Sequence, residues 1–201
     1  MEKTIKDVLD KIHLMDTQDR AERLLGKVKN IEDSLWALHP ESAKLLNFLI
    51  KWNKPKFVLE LGCSHAYSTI WIAEGVKRYG GGLLAIENNP SVAEIARKNV
   101  DDAGLSDYVE FLVGDCLIEL KKINKQIDFI FCDIWDALYP QILPIIIPMI
   151  KKGGIIAFDN VSSDDSSSEA IEFREMLSKS TEIDCINVGI GNGGLELCLK
   201  N

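Results

Sequence analysis

Residues 59–69 read LELGCSHAYST, and the fold of the whole chain follows from how that stretch is understood. An apolar run, Phe57-Val58-Leu59-Glu60-Leu61, meets Gly62. A few small or polar residues follow, and Tyr67 to Ala73 then reads as a helix. A buried strand that breaks at glycine and restarts as a helix is the opening unit of an α/β sheet. The loop between them is the natural place for a ligand, because open α/β sheets bind at the carboxyl ends of their strands.

Downstream the same alternation repeats. Strands are predicted at Phe57–Leu61, Leu83–Ile86, Val109–Val113, Ile127–Cys132 and Gly154–Phe158. Helices are predicted from Tyr67 to Tyr79, Pro90 to Ala103, Cys116 to Lys122 and Ser168 to Ser178. Ile127–Cys132 is apolar on both faces, as a strand buried in a parallel sheet should be. Pro140, Pro144 and Pro148 fall four residues apart, so any helix between Tyr139 and Ile150 is expected to be short or kinked. The polar stretch from Ser162 to Ser168 is expected to cap the helix after it. Glu182–Val188, a turn holding Gly189, Gly191, Gly193 and Gly194, and Leu195–Leu199 read as a closing hairpin.

Upstream, Ile5, Val8, Leu9 and Ile12 recur at helical spacing, and a second helical segment runs from about Asp19 to Val28. Pro40 opens a third helix whose apolar stripe is Ala43, Leu45, Leu46, Leu49 and Ile50. The expectation is an α/β fold, a doubly wound and mostly parallel seven-stranded sheet with an antiparallel C-terminal hairpin and extra N-terminal helices. Residues 1–201 are expected to form a single domain, with 1–52 a helical cap and 56–201 the ligand-binding core.

Composition narrows the class. The 201 residues are 46% hydrophobic and 27% charged, as in soluble globular proteins, and carry a net charge of −8. No apolar run approaches the ~20 residues of a membrane span. The charged start, MEKTIKDVLDKIHLMD, has no signal-peptide core, so a cytoplasmic location without membrane contact is expected. The acidic balance disfavours a long footprint on nucleic acid, though not contact with one exposed nucleotide. The cysteines Cys63, Cys116, Cys132, Cys185 and Cys198 are odd in number, without a C-x-x-C, and are expected to be buried reduced thiols. Cys63 and His65 lack the further partners a zinc site requires.

Three kinds of loop suit Gly62–Ala66. A nucleophile elbow needs a histidine downstream of its serine and acid, but His13, His39 and His65 offer none placed to serve Ser64. A dinucleotide loop needs G-x-G-x-x-G, and here Ser64 and Tyr67 stand at the second and third glycine positions. S-adenosylmethionine has no phosphate and tolerates a loop with less glycine. Gly62 would give close backbone approach, and Ser64, Ser68 and the following helix N-terminus would meet its carboxylate. Glu87, at the end of the second strand, would accept the ribose hydroxyls. Asp115, after the third, would meet the adenine edge.

With these residues in view, the chain resembles the class I S-adenosylmethionine-dependent methyltransferases. More narrowly, it is similar to the cation-dependent O-methyltransferase family that includes catechol and caffeoyl-coenzyme A O-methyltransferases. HPESAKLL, VLELGCSHAYS, AIENNP, FLVGDC, DFIFCDIWDALYP, KKGGIIAFDNV and VGIGNGGLELCLK stand in that family's order between about Leu38 and Leu199. The resemblance implies a Rossmann-like core and a cofactor shell of Glu60, Gly62, Ser64, Tyr67, Ser68, Glu87, Asp115, Cys116, Asp133 and Trp135. It implies a divalent cation at Asp133, Asp159 and Asn160, and a homodimer.

Hard oxygen ligands favour Mg²⁺, with Mn²⁺ or Ca²⁺ as substitutes, and such a cation would lower the pKa of a bound hydroxyl. Two departures accompany the resemblance. Asp136 stands where the family usually has a lysine beside the reacting oxygen, which makes Asp133 and Asp136 the candidate catalytic acids. Ala66 stands where glycine is common. The expected acceptor is a small-molecule hydroxyl, phenolic and metal-bound. The alternatives are a hydroxylated uridine in tRNA, or a protein that binds S-adenosylmethionine without transferring its methyl group.

Overall fold

The strand–loop–helix unit at 59–69 forms as the sequence predicts. In a computed structural model, which describes residues 1–27, 34–161, 167–191 and 193–201, β1 (Phe57–Leu61) runs into Gly62 and α3 (Tyr67–Lys77) begins five residues on. β1 is buried from Val58 onward and packs its two faces into different apolar clusters. The repeat continues with β2 (Gly82–Glu87), α4 (Pro90–Asp102), β3 (Val109–Val113), α5 (Cys116–Glu119) and β4 (Ile127–Cys132). After them come α6 (Tyr139–Ile146), β5 (Ile150–Asp159), α7 (Ser168–Lys179), β6 (Ile183–Val188) and β7 (Leu195–Lys200).

The seven strands lie in the order β3-β2-β1-β4-β5-β7-β6. The first five are parallel, and β7 pairs antiparallel with both β5 and β6. The chain winds outward from β1 to β3, then returns to place β4 on β1's other side. The topological switch point therefore lies between β1 and β4, and parallel sheets of this kind open a crevice there, beyond the strand ends.

Several helix starts carry side-chain caps. The Asn89 side chain accepts from the backbone N–H groups of Ser91 and Val92 while Pro90 occupies the first helical turn of α4. The Ser167 hydroxyl accepts from Ala170 N–H and starts α7, as expected; residues 162–166 of that polar stretch lie outside the described residues. In α6, Pro140 sits in the first turn, where no N–H is needed. Pro144 is inside the helix, which ends after eight residues, before Pro148.

Several expectations change. The two N-terminal segments are one helix, α1 (Lys3–Leu24). Neither glycine nor proline interrupts it, and Arg20 and Arg23 bridge back one turn to Asp16 and Asp19. The end of the second segment, at Val28, lies outside the described residues. Ile5, Val8, Leu9 and Ile12 join the cluster that buries α2 (Pro40–Asn53) and α3. β5 begins at Ile150 rather than Gly154, because the sheet takes in Lys151–Gly154 through a shift in register opposite Asp128. The reduced-thiol expectation fails for two cysteines: Cys185 and Cys198 form a disulfide. They are direct partners across the β6–β7 ladder, a register that their spacing in sequence does not reveal. Cys63, Cys116 and Cys132 are free thiols.

Candidate active site

The site is built from the carboxyl ends of β1, β2, β4 and β5. Gly62 has φ 80°, and a side chain there would place Cβ 2.1 Å from the carbonyl oxygen of Asp133. Glycine is thus required by the approach of β1 to β4 itself. Gly62 N–H donates to Ile86 O (2.9 Å) and Asp133 N–H donates to Leu61 O (2.8 Å), so three strand ends are tied at one place.

The loop beyond Gly62 is held from three sides. Ser64 and Ala66 both take positive φ, 44° and 69°, at a cost of about 1–2 kcal/mol each for residues with a Cβ. The Ser64 N–H donates to Glu87 Oε2 (3.0 Å), and the Asn89 N–H donates to Glu87 Oε1 (3.0 Å). From α4, the buried Asn99 amide donates to the His65 carbonyl (2.9 Å). Glu60, fully buried, accepts from the hydroxyls of Ser68 (2.6 Å) and Thr69 (2.7 Å). Burial pushes the Glu60 carboxyl up to about 7 against those two hydrogen bonds, and the nearby Glu87 adds to the rise.

The acidic corner lies across the switch point. Asp133 and Asp159 each stand one residue beyond a paired position, since Cys132 and Phe158 are partners in the β4–β5 ladder. Burial raises Asp133 well above the usual carboxylate range, with Asp159 and then Glu60 adding to it. Burial likewise raises Asp159, to about 6, against a backbone hydrogen bond from Asn160. Asn160 takes φ 60°, the left-handed conformation that asparagine tolerates better than most residues. The turn is backed by the hairpin: a Cβ at Gly193 would lie 2.8 Å from Asn160 Cα, and the Asn187 amide donates to Val161 O (2.7 Å). Behind it, the buried Tyr139 hydroxyl lies 3.1 Å from Cys132 O and 2.8 Å from Asp159 O, stitching β4 to β5.

The remaining expected residues are spread around this core. Trp135 is 65% exposed on the rim. Asp136 is exposed, accepts from Ala137 N–H, and lines a recess of about 10 Å³ together with Asn160, Tyr139 and Val161. Asp115 caps α5 by accepting from Leu117 N–H (2.8 Å), and Cys116 beside it is half-buried. Tyr67 is buried, its ring 6.2 Å from that of His13 on α1. Thr69, Asn99, Tyr139 and Asn187 went unrecognised in the sequence. Asn99 alone left a signal, a polar residue between Ala96 and Val100 on the buried face of α4.

The donor set fits a hard divalent cation: two half-buried carboxyls stand at adjacent strand ends, Asp159 raising the proton affinity of Asp133, with the amide of Asn160 next in the chain, and no lysine or arginine lies within ion-pair distance of either acid among the described residues. It also fits S-adenosylmethionine, with the carboxylates of Glu87 and Asp115 at the ends of the successive strands β2 and β3.

Residues 22–201 match the profile of a family described as O-methyltransferase. A catechol O-methyltransferase of Niastella koreensis is 30% identical over 162 residues, covering 74% of this chain and 73% of that one. The catechol O-methyltransferase of Mus musculus is 34% identical over 135 residues, 63% of this chain and 51% of the mouse enzyme, so the chain spans about half of that relative. An O-methyltransferase from Bacillus cereus, solved in complex with SAH, superposes with a TM-score of 0.80 at 24% identity, covering 100% of this chain and 92% of that one.

Proposed function

The chain belongs to the O-methyltransferase family, and from that membership we propose that it moves the methyl group of S-adenosylmethionine to a hydroxyl of a small phenolic molecule held beside a divalent cation. The observation that supports this reading is the placement of Asp133 and of Asp159-Asn160 at the ends of the adjacent strands β4 and β5, across the switch point from the Gly62 loop.

The roles follow from position. Glu87, Asp115 and the Ser64 loop bind the cofactor at the ends of β1 to β3. Asp133 lies between the cofactor loop and the acidic corner, and Trp135 borders both. Glu60 and Ser68, bonded to one another, act from beneath, fixing the first turn of α3 against the end of β1. Asp133, Asp159 and Asn160 hold the cation, Mg²⁺ being the best match to three oxygens. When bound, the cation supplies positive charge that lowers the pKa of a neighbouring hydroxyl and orients it. The transfer itself breaks the methyl–sulfonium bond and forms a methyl–oxygen bond, while the hydroxyl proton leaves. Asp136, exposed on the rim, is the carboxylate we assign to receive that proton. Lysine at this position would hold a phenolate by charge, and aspartate has no such charge to offer, so the acceptor must bring its oxygen into place through the cation and the pocket walls.

The first 52 residues act as a cap on this core within one domain. The shared burial of α1, α2 and α3 in one apolar cluster supports that reading.

The test is transfer of labelled methyl from S-adenosylmethionine to a panel of catechols, with Mg²⁺ and again with EDTA. Turnover that disappears in EDTA supports the reading. Turnover unaffected by EDTA removes the cation from it, and no transfer to any phenol in either condition removes the acceptor class.

A further inference from the structure

Away from the strand-end crevice, the β6–β7 hairpin carries a second group of ligand atoms. β6 is the edge strand of the sheet. Cys185 and Cys198 face one another across the ladder with Cα atoms 4.0 Å apart. Asn187 and Glu196 are the pair two residues along, so all four side chains emerge from the same face. Glu196 is 9% exposed, and burial raises its carboxyl against a hydrogen bond from the Asn187 amide. That bond, 2.9 Å long, goes to Oε2 and leaves Oε1 for another partner.

The two sulfur atoms and a Glu196 carboxylate oxygen lie within 4.8 Å of one another. A zinc ion with ligand bonds of about 2.0–2.3 Å spaces its tetrahedral ligands roughly 3.3–3.8 Å apart, so small side-chain rotations close the group around one ion. A cavity of about 420 Å³ opens beside it, lined by Cys185 and Glu196 together with Arg174, Leu177, Ser180 and Ile183. That cavity gives a hydrated ion a way in and a water molecule a place to complete the coordination.

We propose that Cys185 and Cys198, when reduced, form with Glu196 a binding site for one thiophilic divalent cation of the Zn²⁺ class. Two thiolates exclude Mg²⁺ and Ca²⁺, which separates this site chemically from the all-oxygen corner at Asp133, Asp159 and Asn160. The disulfide and the ion exclude each other. A dithiol reductant supplies two electrons and two protons to the Cys185–Cys198 bond and leaves as its own disulfide; the ion then displaces the two thiol protons. The bound ion sets positive charge beside the buried Glu196 carboxylate. In the reverse direction a disulfide oxidant takes up the two electrons and, with two protons, leaves as its dithiol, the Cys185–Cys198 bond re-forms and the ion is released.

The experiment uses the full chain, reduced by a dithiol, desalted without oxygen and titrated with Co²⁺. Thiolate-to-cobalt charge-transfer absorption should appear in the near ultraviolet and saturate at one equivalent. It should vanish on adding Zn²⁺, survive excess Mg²⁺, and be missing from the oxidised protein. Cys185→Ser and Cys198→Ser should each abolish it, and Glu196→Gln should weaken Co²⁺ binding about tenfold or more. Because Cys198 is wholly buried, a Cys198→Ser chain that fails to fold is replaced by a protection measurement on the wild type, in which Zn²⁺ should slow alkylation of Cys185 by iodoacetamide. A folded, reduced protein without the charge-transfer absorption overturns the proposal. So does absorption that persists in Cys185→Ser, or alkylation of Cys185 indifferent to Zn²⁺.

Discussion

Glu60 and Glu74 are both buried glutamates, one on β1 and the other on the helix that follows it, yet their protons are held in opposite ways. Burial pushes both carboxyls up. At Glu74 that push is outweighed by hydrogen bonds from Lys51, Asn47 and Arg78, which hold the group at about 2. At Glu60 the partners are two hydroxyls, which satisfy the oxygens without supplying charge, and the group stands at about 7. The contrast extends to whole regions. The seam between α2 and α3 neutralises its acid internally, with Lys51 at 2.6 Å and Arg78 at 2.8 Å from the Glu74 oxygens. The crevice gathers Glu60, Asp133 and Asp159 with no such cation in ion-pair range among the described residues. An acid paired within the fold belongs to stability, whereas buried acids left without a counter-charge are costly unless something else arrives to supply it.

The largest effect should come from the unpaired side. Asp159→Asn removes one of two mutually repelling carboxyls and one cation ligand. Methyl transfer to a catechol should fall by at least about a hundredfold, in line with the several kcal/mol a bound cation contributes. The melting temperature without cofactor should stay the same or rise. Full turnover in this variant would reduce the corner to a buried acid pair and end the contrast with Glu74.

Glu60 sharpens it through pH. Its carboxyl binds a proton more tightly folded than unfolded, so stability declines as pH rises from the ordinary 4.5 through about 7. At about 1.36 kcal/mol per pKa unit, that gap amounts to about 3 kcal/mol. Glu60→Gln should abolish this decline, leaving the variant more stable than the wild type at pH 8 and close to it at pH 4.5. Denaturant titrations at both pH values measure it, and parallel pH profiles for the two proteins would contradict the assignment.

Glu74→Ala should act in the reverse sense. It strands Lys51 and Asn47 at the seam and should cost about 2 kcal/mol of stability, below the range for fully buried pairs because Arg78 is 55% exposed. Turnover per folded molecule should not change. The stabilisation it removes is fully present above pH 4.5 and fades as pH falls toward 2, so wild type and variant should converge in acid.

How far the sequence disclosed these two regions depended on the range of the contacts. Strands and helices from β1 to β4 were legible because apolar periodicity and the capping residues Asn89 and Pro90 act locally. The acids at strand ends were legible because a strand's end in an α/β chain is also the rim of its crevice. Long-range partners were not. Nothing near Cys185 announces that Cys198 lies opposite it, and nothing near Asn187 says that its amide reaches Val161. The sequence suggests at Gly62 close approach to a ligand, whereas its neighbour is the Asp133 carbonyl, seventy-one positions away and visible only once β1 and β4 pair. The paired seam at Glu74 went unremarked because a lysine on one helix and a glutamate on another look like ordinary surface charges until the helices pack.

The smallest effect tests whether the unpaired acids are also held in place. The Tyr139 hydroxyl has one proton to share between Cys132 O and Asp159 O, the residues before and at the two acidic strand ends. Its ring packs edge-on against Phe158 at 5.2 Å and tilted against Phe173 at 5.1 Å, contacts that phenylalanine keeps. Tyr139→Phe therefore removes only the stitch, and should cost about 1 kcal/mol of stability. If the stitch also sets the spacing of Asp133 and Asp159, the Mg²⁺ concentration for half-maximal turnover should rise about tenfold, as when the support of a metal ligand is lost. A lower melting point with unchanged Mg²⁺ dependence would assign Tyr139 to the sheet alone. A shifted Mg²⁺ dependence that saturating metal restores would place it among the residues that hold the acids in position, and would explain how the corner keeps two mutually repelling carboxylates together.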